Sequence, residues 1–357
     1  MNSRSKIGRV LLVGALALVG AACGDDSTTP AAGSPQGTDA AIAPADTATA
    51  PSDTTAAPSD TAAADPAAAG ADITLAINPW TGSAVNANVA KVVLGSKLGT
   101  KVDFVEIDEF ATWPGMEDGS IDAVLEVWPS GHAADFETYI TNNKTVVDIG
   151  KLGPTAKIGW YVPTFVVQEH PELATWEGFK DPTLAKLFAT AESGDLGQFL
   201  MGDPTYVTFD EQIIANLGLP LKYVVGGSEA AVLAAIDTAE ADKTPVLVQF
   251  WKPHWKQLEA DLTEVKLPEV SDACLASAAA GDGGYACDYA PDVLVKAASA
   301  KLETKNKAAF DFLSKFQLTT EQQSEIAGYI DRDGMDAGAA AEKWVAANPD
   351  IVNAWLA

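Results

Sequence analysis

The chain has 357 residues, of which 49 are Asp or Glu and only 23 are Lys or Arg, for a formal charge of −26. So acidic a chain lacks the basic face that nucleic acid phosphates or anionic lipid head groups require. The negative charge favours the approach of cationic or zwitterionic solutes, although simple solubility explains it equally well.

Residues 1–22 have the pattern of an export signal. Arg4, Lys6 and Arg9 lead into an apolar stretch at 10–22, whose thirteen residues are too few to span a bilayer. Cys23 follows three small residues in a pattern that resembles a lipobox, with Gly at position 20 in place of the usual Leu. The sequence therefore predicts a lipid on Cys23 and anchoring to the outer face of the cell membrane. The alternative is an ordinary cleaved signal with Cys23 incidental.

Residues 23–71, from the lipidated Cys23 onward, are predicted to be a disordered tether. Positions 24–71 are almost entirely Gly, Ala, Pro, Ser, Thr and Asp, without Lys, Arg or an aromatic residue. Ile42 is the only large apolar side chain in this stretch. Such a composition buries too little apolar surface to offset the entropy lost on ordering.

Residues 72–357 alternate strand and helix patterns. Strands are predicted at 73–77, 102–107, 121–127, 157–162 and 245–250, and helices at 83–98, from Ser228, at 305–316, from a Thr319–Gln322 capping box, at 337–346 and from Asp350. This alternation favours an α/β fold with a mainly parallel sheet and helices on both faces. It leads us to expect two lobes, 72–158 with 265–357 and 159–264, around a ligand cleft that closes by a hinge.

Three tryptophans, Trp80, Trp128 and Trp251, each end an apolar, strand-like run. Ligands of α/β sheets bind at strand ends, and aromatic faces that converge on one point form a cage for a quaternary ammonium ion. A single Trp is more often a core residue, but the strand-end placement that all three share favours the cage.

The two remaining cysteines, Cys274 and Cys287, are expected to form a disulfide, since an exported chain meets oxidising conditions. A metal site is disfavoured because the histidines at 132, 170 and 254 are widely scattered.

Five segments resemble substrate-binding proteins of glycine betaine/proline/choline (quaternary amine) ABC importers. They are 78–91, 125–129, 153–163, 246–255 and 344–355, and the Trp-Lys-Pro-His-Trp motif at 251–255 is the most specific. The resemblance implies a two-lobed, periplasmic-binding-protein-like fold of type II, with an ABC permease and its ATPase as partners. It implies no cofactor.

The resemblance also implies a ligand site. Trp128 and Trp251 are expected as cage walls and Trp80 as a further wall or gate. Either Tyr206 or its rival Tyr161 is expected to complete the cage. For the carboxylate of a betaine the expected donors are the helix-start residues Gly82 and Ser83, together with His254.

Two further expectations concern neighbours of the cage. Relatives that prefer choline often carry an acidic residue two positions after the first Trp, and this chain has Gly82 there, which favours a betaine. Glu126 is expected on the face of its strand opposite Trp128, in solvent or paired at the hinge. Trp160, Trp255, Trp344 and Trp355 are expected in the core.

Other readings stay open. No nucleophile elbow, zinc-protease motif, P-loop or dinucleotide fingerprint supports an enzyme. A lipid-anchored surface protein without a transport role would explain the tether but not the tryptophans. Within the same fold, the ligand could instead be choline or carnitine.

Overall fold

The computed structural model describes residues 70–357, so the export signal, Cys23 and nearly all of the tether lie outside the described residues. The strands are β1 (Ile73–Ile77), β2 (Val102–Glu106), β3 (Ala123–Val127), β4 (Val146–Pro163), β5 (Gly197–Met201), β6 (Leu221–Val225), β7 (Val248–Lys252), β8 (Leu262–Val265) and β9 (Asp292–Ser299).

The helices are α1 (Thr81–Leu98), α2 (Glu109–Asp118), α3 (Ala133–Asp135), α4 (Thr164–Glu169), α5 (Pro182–Ala185), α6 (Asp210–Asn216), α7 (Glu229–Asp242), α8 (Asp272–Ala280), α9 (Leu302–Lys305), α10 (Lys307–Lys315), α11 (Thr320–Asp331), α12 (Ala337–Ala347) and α13 (Pro349–Leu356). Over residues 70–357, no helix combines the length and the apolar character needed to cross a membrane.

The long strand β4 takes part in two sheets, one in each lobe. Its residues 146–156 pair with β9 in a sheet of order β2-β1-β3-β9-β4. Its residues 157–163 pair with β7 and β8 in a second sheet that continues through β5 to β6. The predicted boundary between the lobes, at 158–159, falls in this strand.

Strand directions differ between the outer and the central parts of the sheets. The pairs β1-β2, β1-β3, β5-β6 and β5-β7 are parallel, as the alternation of strands and helices predicts. The pairs of β4 with β7, β8 and β9, and of β3 with β9, are antiparallel. The fold is therefore a mixed α/β sheet, because the strands that connect the lobes run against their neighbours.

The second crossing lies further along the chain than predicted. Val265, Cys274 and Tyr289 pack in the core of the second lobe, around Trp160 and Phe199. Strand β9 then returns to the first lobe, so the chain crosses between 289 and 292 rather than at 265. The segment carries a disulfide between Cys274 and Cys287, which lie 13 positions apart.

Local signals fix several helix starts. Ser228 caps α7, and Thr319 with Gln322 forms the predicted capping box of α11. Helix α1 begins at Thr81, two residues before the predicted Ser83, because Trp80 already has the extended backbone of an N-cap. The Ser83 side chain instead accepts a hydrogen bond from the Asn78 N–H at 2.9 Å.

The tryptophans expected in the core are buried. Trp344 and Trp355 lie nearly parallel, with ring centroids 6.2 Å apart, in the helical C-terminal part. Trp160 is fully buried and donates to Asp210 at 2.7 Å. Trp255 is also buried and donates to Asp331 of α11 at 2.7 Å.

Candidate ligand-binding site

Four aromatic side chains surround one pocket in the cleft between the lobes. The lining consists of Trp80, Glu109, Trp128, Ile158, Tyr206, Val207, Thr208, Gln249 and Trp251. The space between these atoms is about 370 Å³, including the part that opens to solvent.

The ring of Tyr206 stands at a steep angle to the rings of two of the tryptophans. The Tyr206 ring lies 6.0 Å from that of Trp80 at 76° and 5.8 Å from that of Trp251 at 88°. The hydroxyl of Tyr206 donates to the carbonyl of Pro79 at 3.0 Å. This bond holds the one cage residue that comes from a loop of the second lobe.

Strand ends deliver the three tryptophans. Trp80 lies between β1 and α1, and Trp128 directly follows β3. Trp251 is the next-to-last residue of β7, where its register partner on β4 is Ile158, another lining residue. The sheets thus fix the positions of three walls through backbone hydrogen bonds.

A buried carboxylate, Glu126, lies behind two of the walls. It accepts hydrogen bonds from the indole N–H groups of Trp80 at 2.8 Å and Trp128 at 3.1 Å. Asn86 and Gln323 donate to its other oxygen at 2.7 and 2.6 Å. Burial raises the pKa of Glu126 to about 7, although these hydrogen bonds oppose the shift.

The expectation that Glu126 faces away from Trp128 into solvent is therefore wrong. Glu126 is only 3% exposed. Residues two apart in a strand share a face, so a carboxylate at 126 lies on the same side as the ring at 128. Because it holds both indoles in place before a ligand arrives, Glu126 lowers the ordering cost of binding.

A second acidic residue, Glu109, lines the pocket itself, and it was not predicted. It starts α2, accepts the N–H of Val207 at 3.1 Å and lies 2.8 Å from Nε2 of His132. His132 in turn contacts Asp135 at 2.8 Å. Burial lowers the pKa of His132, but the hydrogen bonds to Asp135 and Glu109 outweigh it and raise the pKa to about 9. Glu109 starts α2, just after the end of β2. This strand-end position was the signal in the sequence that could have identified it as a pocket residue.

The structure does not bring the expected carboxylate-binding residues to the pocket. The first N–H of α1, on Thr81, donates to Glu229 at 2.7 Å, and His254 contacts the other oxygen of Glu229 at 2.7 Å. A Cβ added to Gly82 would lie 2.8 Å from Glu126, so glycine leaves room for that carboxylate. The Thr81 N–H and His254 are thus bonded to a protein carboxylate, and none of Gly82, Ser83 and His254 lines the aromatic pocket.

Tyr161 also lies outside the aromatic pocket. Ile158 faces the pocket from β4, and a residue three positions later in a strand points to the opposite face. There the ring of Tyr161 packs against Phe250 at 6.2 Å, and its hydroxyl donates to Glu264 at 3.2 Å. Of the two rivals for the fourth aromatic position, Tyr206 lines the pocket.

Hydrogen bonds join the two lobes around the pocket. They include Tyr206 to Pro79, Val207 to Glu109, Thr81 to Glu229 and Trp255 to Asp331. Donors and acceptors of these bonds come from different lobes, so the structure has the lobes closed on each other.

The pattern of a known family matches residues 71–347, and its description is the substrate binding domain of ABC-type glycine betaine transport system. The chain belongs to this family. The chain is therefore an extracytoplasmic, substrate-binding part of an ABC importer, in a family of transport receptors rather than of enzymes.

Relatives of this domain carry related names. The trimethylamine N-oxide-binding protein of Pelagibacter ubique is 27% identical over 285 residues, which cover 78% of this chain and 88% of the relative. The glycine betaine/carnitine transport binding protein of Listeria monocytogenes is 29% identical over 128 residues, or 36% of this chain and 37% of the relative.

Solved structures share the two-lobed fold. Lactococcal OpuAC, closed on glycine betaine, has a TM-score of 0.62 at 19% identity. The match covers 80% of this chain and 99% of the OpuAC chain. A choline-binding protein in complex with choline has a TM-score of 0.63 at 20% identity, with 82% and 93% covered. At these identities the likeness shows the fold of the binding domain.

Proposed function

We propose that the domain captures a small trimethylammonium compound in the cage of Trp80, Trp128, Tyr206 and Trp251 and delivers it to its ABC permease. The observation that carries the proposal is the convergence of these four rings on one pocket, with Glu126 behind two of them. Osmoprotectant or nutrient uptake is the role that such a receptor serves.

The chemistry of the cage fits this class of ligand. A trimethylammonium group has no N–H to donate, so π faces and removal of water must hold it. Each well-placed aromatic face contributes roughly 0.5–2 kcal/mol. Burial keeps Tyr206 neutral, since it raises the pKa of the phenol far above its usual value. All four walls therefore present uncharged rings.

The relatives support the same class. Their names and structures refer to trimethylamine N-oxide, glycine betaine and choline. The chemical group that these three compounds share is a nitrogen carrying three methyl groups. The three compounds differ at the polar end. The comparisons therefore support a cage for the methylated nitrogen, and the residues that contact the polar end have to be identified from this chain.

Removing a wall tests the proposal. W128A and W251A in the full chain are expected to bind choline, glycine betaine and tetramethylammonium at least tenfold more weakly in isothermal titration calorimetry, since each removes a π face. W176A is the matched control, because Trp176 stacks under Lys180 and lies outside the pocket lining. Wild-type affinity for all three compounds in both cage variants would refute the cage.

We also propose that Cys23 carries the lipid that holds the receptor at the outer face of the membrane, with residues 24–71 as its tether. The export signal and the small residues before Cys23 support this proposal. Labelling of cells with a palmitate analogue is expected to mark the wild-type chain and not C23S, which should appear in the medium. Equal labelling of both chains would rule out this anchor.

A further inference from the structure

Gln249 is a buried polar side chain on the wall of the aromatic pocket. It lies on β7 two positions before Trp251, so both side chains share one face of the strand. It is 2% exposed and lines the pocket. Its Oε1 has no hydrogen-bond partner among the described residues.

This position distinguishes Gln249 from the other unpaired polar groups. The remaining buried side-chain atoms without a partner in residues 70–357 are Asn86 Oδ1, Asp210 Oδ2 and Trp344 Nε1. None of these three residues lines the aromatic pocket. A buried polar group without a partner destabilises a fold, so an amide that lines a binding pocket points to a partner on the ligand.

The charges around the pocket restrict what that partner is. Glu109 is the ionisable acid among the lining residues, and no Lys, Arg or His of the described chain lines the pocket. His132, the nearest cationic partner of Glu109, lies behind it and also contacts Asp135. A ligand carboxylate would thus enter a pocket with an acidic wall and without a cationic side chain to pair with.

Several groups suited to a carboxylate are already engaged. Glu229 takes the N–H of Thr81 at the start of α1 and the Nε2 of His254. The indole N–H groups of Trp80 and Trp128 are bonded to Glu126. Within the lining, the amide of Gln249 remains, beside the hydroxyl of Thr208, and an amide both donates and accepts.

A hydroxyl group matches this set of polar groups. Its hydrogen goes to Gln249 Oε1, the atom that has no donor among the described residues, and its oxygen can still accept. A carboxylate accepts only, so it leaves Gln249 Oε1 without a donor and adds a negative charge beside Glu109.

We infer that Gln249, together with Glu109, determines the specificity of the site and selects a trimethylammonium alcohol over a trimethylammonium carboxylate. This inference rests on the proposed function, because the cage must first hold the methylated nitrogen. It reverses the preference for a betaine that Gly82 indicates in the sequence.

Calorimetric titration of the full chain with three probes separates the two ends of the ligand. Tetramethylammonium carries the cage-binding group alone, choline adds a hydroxyl, and glycine betaine adds a carboxylate. Wild-type protein is expected to bind choline at least tenfold more tightly than either of the other two.

Q249L removes both polar atoms of the amide and keeps nearly the same volume. It is expected to weaken choline at least tenfold, to the level of tetramethylammonium, while tetramethylammonium changes less than threefold. Q198L is the matched control, since Gln198 lies on β5 and contacts Thr190 at the surface. All three affinities should be unchanged in Q198L.

The outcomes distinguish the inference from the proposed function. Glycine betaine binding more tightly than choline to the wild type, or Q249L retaining the preference for choline, would overturn the specificity assignment and leave the cage intact. Failure of all three probes to bind would overturn the proposed function itself. The ranking in the wild type needs no variant, so the test holds even if Q249L does not fold.

Discussion

Glu126 shows how one buried acid can organise a site that it does not line. Its carboxylate accepts four side-chain N–H donors, two of them from cage tryptophans. A cation in the cage would stabilise the ionised form of this acid across the rings. Binding and protonation of Glu126 are therefore coupled.

Affinity for a trimethylammonium ligand is expected to rise about threefold to tenfold between about pH 6 and pH 8, because the unliganded site has a pKa of about 7 at Glu126 and the cation favours the carboxylate. Tryptophan fluorescence titrations with tetramethylammonium, which does not titrate, measure this rise. E126Q binds more weakly but with the same affinity at both pH values. A flat wild-type profile would show that the acid is not coupled to the ligand.

Stability should follow the opposite course in the ligand-free chain. Burial raises the pKa of Glu126 from 4.5 to about 7, so the folded state holds the proton more tightly than the unfolded state. The stabilising contribution of Glu126 is then complete below about pH 4.5 and is lost as the pH rises through about 7. Urea unfolding of wild type and E126Q at several pH values gives this contribution as a difference. A difference that grows with pH would contradict the assignment.

The sequence identifies the aromatic part of the site better than the polar part. Trp80, Trp128 and Trp251 each end an apolar run, and that local pattern survives folding. The fate of His254 depends on Glu229, which reaches α1 from the other lobe, and no local pattern predicts such a contact. The position of Glu126 was predicted wrongly although the signal was present, because residues 126 and 128 are two apart and therefore share a face of the strand.

At the scale of elements, the strongest patterns gave the most accurate boundaries. Strand β1 has the predicted bounds, β2 ends one residue before its predicted end, and the capping box of α11 lies where its residues predict it. The segment at 265–289 has no such pattern, because only α8 is regular within it. Its place in the second lobe depends on tertiary packing of Tyr285 and Tyr289 and on the disulfide.

Removing this disulfide is expected to lower the free energy of unfolding by about 2–4 kcal/mol, because the bond closes a short loop in the unfolded chain. C274A/C287A, followed by urea unfolding, measures the loss. Reductant should destabilise the wild type by a similar amount and leave the double variant unchanged. A urea midpoint equal to that of the oxidised wild type would show that the bond adds nothing to stability.

At the scale of the whole molecule, closure is stabilised by contacts that lie beside the cage. Glu229 of α7 links the second lobe to α1 of the first lobe through Thr81, and it also holds His254. Asp331 extends the same cluster by accepting from Thr81 and Trp255. These residues are suited to set the balance between open and closed forms without contacting the ligand.

E229A is expected to weaken choline and tetramethylammonium by the same factor, about threefold to tenfold, since a shift in closure affects every ligand of the closed form alike. Calorimetry gives the two affinities, and small-angle scattering should show a larger radius of gyration. E211A, at the start of α6 on the surface, is the control. A loss confined to choline would assign Glu229 to the ligand's polar end instead.

A single continuous strand, β4, belongs to the sheets of both lobes, with residues 146–156 in one and 157–163 in the other. Neither sheet keeps all its partners once the other has melted. Independent domains commonly unfold in separate steps, but a shared strand makes the two cores one cooperative unit. The receptor should therefore lose its structure in one heat-absorption peak, so that damage to either lobe lowers the melting temperature of both.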